Sequence, residues 1–541
     1  MIKFHISIVQ LILLFLVFAS CSNENTHRVN GQVQINDSLE SVKPMEELLN
    51  IPPHSELINN FSYEVLTYNS DSTFNFDFKG FEDSYSTSSN NILCFRGDPK
   101  RNSPSRGNIK GKPIKVRKDW VYKTRKDVVP SRLGTWGGGS GWTGQPLTVQ
   151  WNKEMKLKLG ITDEEFINDN EAIEVTIGSL SGDIYFLNFE NGKPTRNYLT
   201  VDGPIKGTPS IDPRLNGYLY VGQGIPKPKK RMGSYVLDMV SGKVVYHQPG
   251  IESDAYRRWG AFDSNPLIDK NSGLVIWPSE NGLIYRLDVK NHSNPILDKK
   301  IKYTNDRTFR YGIESSFAGI GKYGFFADNS GNILCVDMST LKVIWTYNHL
   351  DDTDASIMAE IDEKGDSYIY VGNEVDKRAA YTESNFAKIS AVTGEKIWSY
   401  DVKCYGTTIN GKQNSGGILA SPLMGKGKFN NIVVTIFSRV NKRNGGLLVA
   451  VDKNSGEKLY EISLDSYSWA SPIDIYDDQG NMYLFFTDVS GNVYLIKGDT
   501  GEIIYKENLD MTFESSPIVI NDRIVVGVRG NSIISFVIET E

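Results

Sequence analysis

One phrase constrains this chain more than any other. Between Val493 and Tyr505 an apolar run, Val493-Tyr494-Leu495-Ile496, meets the polar corner Gly498-Asp499-Thr500-Gly501, and a second apolar run then ends on an aromatic. Two antiparallel strands joined by a tight turn are written this way. The phrase recurs along most of the 541 residues and keeps its own spacing. With the turn glycine as zero, at Gly192, Gly242, Gly394, Gly456 and Gly501, an aromatic follows four residues later as Tyr246, Trp398, Tyr460 and Tyr505. Seven residues before zero stand Tyr185, Tyr235 and Tyr494. Two copies keep the spacing without the glycine: His292 has Tyr285 seven before it, and Leu341 has Leu334 seven before it and Trp345 four after. Asp238, Asp288, Asp337 and Asp452 stand four before zero, where a carboxylate accepts hydrogen bonds from the N–H groups of its own turn. Such corners break a helix, so the spacing of seven has no helical reading. They also lack the ligand count and closing Glu of an EF-hand and are read as turn-making.

A second signal marks where each unit begins. Small residues, usually with a Pro, precede a strand at Gly144-Gln145-Pro146, Gly207-Thr208-Pro209, Ser264-Asn265-Pro266, Ser315-Ser316-Phe317, Ala355-Ser356-Ile357, Ala420-Ser421-Pro422, Ala470-Ser471-Pro472 and Ser515-Ser516-Pro517. These openings lie 40 to 65 residues apart, which suits one four-stranded blade with generous loops. Eight openings meet only seven closing hairpins, because the unit that starts at Ser515 runs out of chain before a fourth strand. The strand Asp119-Trp120-Val121-Tyr122-Lys123 precedes the first opening and has no unit of its own. Pairing it with the last unit closes the ring and leaves no exposed sheet edge there. The expected fold is therefore all-β: an eight-bladed β-propeller of four-stranded antiparallel blades over residues 92–541, closed by an N-terminal strand. The 49 Gly and 11% aromatic residues suit turns and strands.

The start of the chain reads differently. An early Lys, an apolar run from Ile6 to Phe18 and the small pair Ala19-Ser20 precede Cys21. The run is shorter than the roughly 20 residues that span a bilayer, so residues 1–21 read as an export signal. The end of that run resembles a bacterial lipobox, with Phe18 where Leu is usual. That resemblance implies lipidation of Cys21, and the other reading is a plain signal peptide cleaved nearby. Residues 22–91 read as a polar tether and weakly structured segment, with enough alternation from Phe61 to Phe78 for one hairpin. Cys94, Cys335 and Cys404 are an odd number without a CxxC, which argues against a disulfide framework. A net charge of -6 offers no face for nucleic acid, and six His without a His pair offer no transition-metal site.

The opening Ser-Pro, the Asp-x-x-Ser/Thr-Gly hairpin and the terminal Trp or Tyr together resemble the quinoprotein-type (PQQ-like) β-propeller repeat, over residues 94 to 541. The phrase from Cys94 to Asn102 resembles that family's lead-in, which leaves Arg96-Gly97-Asp98 no part as an adhesion motif. The resemblance implies that Tyr246, Trp345, Trp398, Tyr460 and Tyr505 pack between blades and belong to the core.

Function is then expected in the loops that enter each opening strand at the mouth of the channel. Just before the openings stand Thr143, Lys206, Asp263, Glu314, Asp354, Leu419, Trp469 and Glu514. Four are acidic. Converging, they would make a negative ring for a cation or a basic segment of a partner; solvated, they would only cap the next turn. Nearby loops carry Trp136 to Trp142 with its glycine run, Arg257-Arg258-Trp259, and Arg307 with Arg310-Tyr311. Such residues suit an interaction hot spot, a stacking surface or packing pegs. The glycine run precedes a strand rather than a helix and is discounted as a phosphate cradle. The common hydrolase, nucleotide-binding and zinc-protease motifs do not occur.

The expectation is a non-enzymatic scaffold of the cell envelope, held at the outer membrane by lipid on Cys21. It would bind an envelope protein through Trp142, Trp259, Arg310, Asp263, Glu314, Asp354, Trp469 and Glu514, without a cofactor. Here the resemblance points to the lipoprotein branch that serves outer-membrane β-barrel assembly. The alternatives are a PQQ-dependent oxidoreductase that takes a base and a calcium ligand from Asp263, Glu314 or Asp354, and glycan or peptide binding at the aromatic rim. Quinoprotein alcohol dehydrogenases of the family usually carry adjacent cysteines beside the cofactor, and this chain has no such pair.

Overall fold

Alternation along the central strands sends side chains to two different neighbours. In Asn492–Lys497, Val493 and Leu495 join one apolar cluster with Phe536 and Ile534 of the last unit, while Tyr494 and Ile496 join another with Val434 and Leu448 of the preceding one. Both faces are buried, which is why the strand is apolar almost throughout. The computed structural model describes residues 61–69, 76–85, 90–131, 135–141, 144–305, 311–409 and 412–541.

Among these residues eight antiparallel four-stranded units follow one another. Their innermost strands are Leu147–Val149, Ser210–Ile211, Leu267–Ile268, Ala318–Ile320, Met358–Ile361, Leu423–Met424, Ile473–Asp477 and Ile518–Ile520. The last unit draws three strands from the C-terminus and its fourth, Pro113–Lys123, from the N-terminal side. Val121 pairs with Ile534 and Tyr122 with Ile533, as the closing-strand reading requires.

The small opening residues turn out to tie unit to unit. The backbone N–H of Ser316 donates to Ser356 Oγ (2.8 Å), Ser356 to Ser421 Oγ (3.0 Å), Ser421 to Ser471 Oγ (3.0 Å) and Ser471 to Ser516 Oγ (3.0 Å). Ser516 N–H then donates to Gly144 O at 3.0 Å, which returns the chain of bonds to the first unit. Gln145 N–H donates to Thr208 Oγ1 (2.9 Å), Asn265 Nδ2 to Thr208 O (3.0 Å), and Asn265 N–H to Ser316 Oγ (3.0 Å). The circle is complete: it runs through a side-chain hydroxyl or amide at seven openings and through the backbone of Gly144 and Gln145 at the first.

The hairpin corners do what their spacing demands. Asp452 Oδ1 accepts from Asn454 N–H (2.9 Å) and Ser455 N–H (3.0 Å), and Asp238 and Asp337 act alike. Each terminal Trp lies on the turn glycine of the next unit. Trp345 Nε1 donates to Ala391 O (3.1 Å) beside Gly394, and Trp398 Nε1 donates to Lys453 O (3.0 Å) beside Gly456. Tyr460 donates to Gly498 O (2.9 Å) and Trp120 to Phe189 O (3.0 Å) in the same manner. The tyrosines at minus seven serve another turn: Tyr494 and Tyr185 donate to Asp488 and Asp183, in the turns between the second and third strands.

The corner glycines therefore differ in cost. Gly456 has φ +74 and an added Cβ would lie 2.7 Å from Trp398 Cδ2, whereas Gly242 has φ +70 with Leu199 Cδ2 at 3.5 Å as its nearest neighbour. Gly242→Ala should cost about 1–2 kcal/mol, the left-handed backbone term alone. Gly456→Ala should cost about 1–3 kcal/mol more, because the ring must also move. Urea midpoints of the two variants give the comparison, and equal losses would contradict the packing role.

The lead-in from Ile92 to Ile109 threads the centre and touches every unit in turn. Ile92 bridges to Thr148, and Leu93 O accepts from Ile211 N–H (2.9 Å). Phe95 N–H donates to Asn265 Oδ1 (3.2 Å), and Pro99 O and Lys100 O accept from Gly319 and Ala359 N–H (both 2.8 Å). Asn102 Oδ1 accepts from Met424 N–H (3.3 Å). The strand Ser105–Ile109 then pairs in parallel with both Ile473–Asp477 and Ile518–Ile520, joining the last two units into one sheet. Arg96 and Arg101 are fully buried here, so Arg96-Gly97-Asp98 is a structural plug.

One expectation needs correcting. The described part of the Phe61 to Phe78 stretch holds a single strand, Ser62–Thr67, rather than a hairpin. It pairs antiparallel with Ile296–Thr304 and adds a fifth strand to the outer edge of the third unit. Phe61, Phe76, Phe78, Phe81 and Tyr85 are buried against the propeller. An outside edge with free N–H and C=O groups outweighed pairing within the segment. Cys94, Cys335 and Cys404 are buried and unpaired.

Candidate funnel site

Antiparallel order places the opening loops and the turns between second and third strands at one end of every unit. Asp263 and Glu314 come from opening loops, and Glu280 comes from the turn after Leu274–Pro278. One carboxylate oxygen from each of the three lies within 4.8 Å of the others. Lys206, from the second opening loop, reaches into this group: its Nζ contacts Asp263 and lies 3.9 Å from both Glu280 Oε1 and Glu314 Oε2. Lys206, Asp263 and Glu280 are buried and Glu314 is half-buried.

The network continues around the funnel. Glu314 Oε1 accepts from Asn329 Nδ2 (3.2 Å), and Lys377 Nζ donates to Asn329 O (2.6 Å) while contacting Asp352. Asp352 O accepts from Glu374 N–H (2.8 Å), and burial pushes the pKa of the Glu374 and Asp354 carboxyls well up, with the Asp352 charge adding to both.

Burial raises the pKa of Glu280 and Asp263, with the Glu314 charge adding to both. Glu314 is held low against its own burial by Lys206 and a hydrogen bond from Glu280. Burial works against the Lys206 ammonium, but Asp263, Glu314 and Glu280 outweigh it and raise its pKa. Lys206 and Glu314 are thus favoured in their charged forms, while burial disfavours the charge on Glu280 and Asp263.

Asp352 is pushed up to about 7, chiefly by burial and against the pull of Lys377. A carboxyl with a raised folded pKa stabilises the fold while protonated, so this contribution is whole below about pH 4 and is lost as pH rises through 7. Asp352→Asn, which stays neutral, should gain stability relative to the parent between pH 4 and pH 8. Parallel pH profiles of the urea midpoint would contradict it.

The expected rim residues separate into groups. Asp263 and Glu314 converge, and Asp354 couples to Glu314 electrostatically. Glu514 lies elsewhere on the rim, 3.4 Å from Arg529 Nη1, and the Arg529 guanidinium sits 5.6 Å from the Trp136 ring centroid. Trp469 is buried and Trp259 half-buried. Trp142, Thr143, Arg307 and Arg310 lie outside the described residues. The glycine run is a close-packing device, since a Cβ on Gly139 would stand 1.7 Å from Val528 O. The insertion at Ile225 to Arg231 is tied to the same rim by Lys227, which contacts Asp127 and donates to Val129 O (2.5 Å).

Glu280, Asp352, Glu374 and Lys377 were not singled out from sequence. The signal was available: the turn after each second strand shares an end with the openings, and Ser279-Glu280-Asn281-Gly282 is such a turn.

Residues 443–540 match the family model PQQ_2, described as outer membrane protein assembly factor BamB. Over those residues the repeat is similar to the PQQ-like type. Among solved structures, a quinohemoprotein alcohol dehydrogenase of Pseudomonas putida HK5 is similar at 12% identity, with a TM-score of 0.55, over 85% of this chain and 82% of its own. BamB from Moraxella catarrhalis is 16% identical over 67% of this chain and 93% of its own, with a TM-score of 0.46. The computationally designed Ika8 protein is 10% identical over 68% and 93%, with a TM-score of 0.46. At such identities the dehydrogenase likeness supports the propeller fold and nothing finer. No curated protein matches the sequence. Among the described residues no helix is long and apolar enough to cross a membrane.

Proposed function

We propose that this PQQ-like propeller is a non-enzymatic scaffold of the cell envelope, lipid-anchored through Cys21, that binds a protein partner through its opening-loop face in outer-membrane protein assembly. The observation that carries this reading is Lys206. A quinone cofactor bound with calcium needs open carboxylates in the funnel, and here a buried ammonium stands among the three best placed to serve. The donor set as it stands therefore does not fit that cofactor. The match of residues 443–540 to the assembly-factor model supports the same side.

Two measurements test the proposal. Purified protein mixed with pyrroloquinoline quinone and calcium should show neither bound-cofactor absorbance nor dye reduction with alcohols; turnover would favour the oxidoreductase reading. Affinity capture from detergent-solubilised outer membranes should recover a β-barrel assembly protein, and joint replacement of Trp142, Trp259 and Arg310 by alanine should abolish capture. Undiminished capture by the triple variant would move the interface off this rim.

A further inference from the structure

The funnel contains a donor set whose centre is taken by an ammonium. Calcium binds carboxylate oxygens at about 2.4 Å, so two donors on opposite sides of one ion stand about 4.8 Å apart. One oxygen each from Asp263, Glu280 and Glu314 falls inside that limit, all lying within 4.8 Å of one another. Glu280 Oε1, on a side chain 1% exposed, makes no hydrogen bond and has Lys206 Nζ 3.9 Å away as its counter-charge. Glu314 Oε2 faces the same ammonium at 3.9 Å and Asp263 touches it.

We propose that Lys206 is a built-in counter-ion standing in for a divalent cation, so that the funnel excludes calcium while the ammonium is present and binds it once the ammonium is removed. Two buried carboxyl groups and a half-buried one, brought this close together, call for compensating positive charge, and a single lysine on a neighbouring unit supplies part of it from within the chain. An ammonium and a divalent ion cannot share the space between the same oxygens, because their repulsion in a buried site is large. All three donors are hard carboxylate oxygens, which selects calcium over metals that prefer nitrogen or sulfur. The inference holds whether or not the loop face binds the partner proposed above.

The test uses the full chain, calorimetric titration with calcium chloride, and thermal melting with and without calcium. The parent protein should show no saturable binding up to about 10 mM calcium, while Lys206→Met should bind one ion with a Kd of about 0.1–1 mM, as weaker calcium sites do. Calcium should raise the melting temperature of Lys206→Met and leave the parent unmoved. Lys206→Arg should behave as the parent, and adding Glu280→Gln to Lys206→Met should remove the site. If Lys206→Met is recovered soluble only when calcium is supplied, that also supports the inference. It is overturned if the parent binds calcium in a way that Glu280→Gln abolishes, if folded Lys206→Met binds none, or if Lys206→Met is insoluble with and without calcium.

Discussion

Arg101→Met is expected to destabilise the fold by about 3–5 kcal/mol, the cost of leaving several buried carbonyl acceptors without donors at about 1–3 kcal/mol each. Arg101 is fully buried at the centre of the ring. Its Nε donates to Phe317 O (2.8 Å), Nη1 to Phe95 O (2.9 Å) and Asn265 Oδ1 (2.8 Å), and Nη2 to Asn265 O (3.1 Å). Methionine fills much of the volume but leaves three carbonyls from three segments without donors in a dry core. Burial lowers the pKa of the guanidinium, yet arginine stays charged, compensated by the carbonyl cage with help from the Asp98 charge and the Phe317 ring. Arg101→Lys should recover less than half of the loss, because one ammonium cannot span the fork of acceptors. Urea unfolding followed by tryptophan fluorescence measures both variants. A loss below about 1 kcal/mol for Arg101→Met would mean that the plug contributes little.

Truncation after Asn531 should have the larger effect and leave no soluble monomer. It removes Ser532–Thr540, the strand that joins Pro113–Lys123 to the rest of the last unit. Arg523–Val528 then becomes an open edge, and Pro113–Lys123 loses its partner strand. Trp120, whose ring covers Gly192 of the first unit, is left on a strand with nothing to hold it. Exposed edges of this length template intermolecular pairing. Soluble yield and size-exclusion profile are the readouts, and a monomeric truncated protein with cooperative unfolding would overturn the closure argument.

Much of the fold was legible because repetition makes weak signals add. One Asp-x-x-Ser-Gly corner is a common turn, but several with an aromatic four residues later identify a unit, and the count of openings against closings located the missing strand at Trp120. The opening hydroxyls were legible only as small residues, since their role is to accept from the neighbouring unit and no single unit reveals it. The funnel was half legible. Asp263, Glu314 and Asp354 were found because they precede openings, whereas Glu280, Glu374 and Lys377 lie on turns or an insertion whose spacing from the repeat is irregular. Lys206 stood among the residues that precede the openings, but the sign of its charge hid its place within an acidic group. The Phe61 to Phe78 stretch misled because alternation reports a strand without naming its partner, and the partner here lies more than two hundred residues downstream.

The last unit couples synthesis to shape. Residues 113–123 emerge some four hundred residues before their partner, 532–540. Neither the circle of opening hydrogen bonds nor the central plug can be completed before the last unit has emerged, because the circle needs Ser516 and the plug needs the Ile518–Ile520 strand. The propeller therefore stays open until residues 532–540 are free, and the slowest step of folding should be their joining to residues 113–123, indifferent to how quickly the intervening hairpins form.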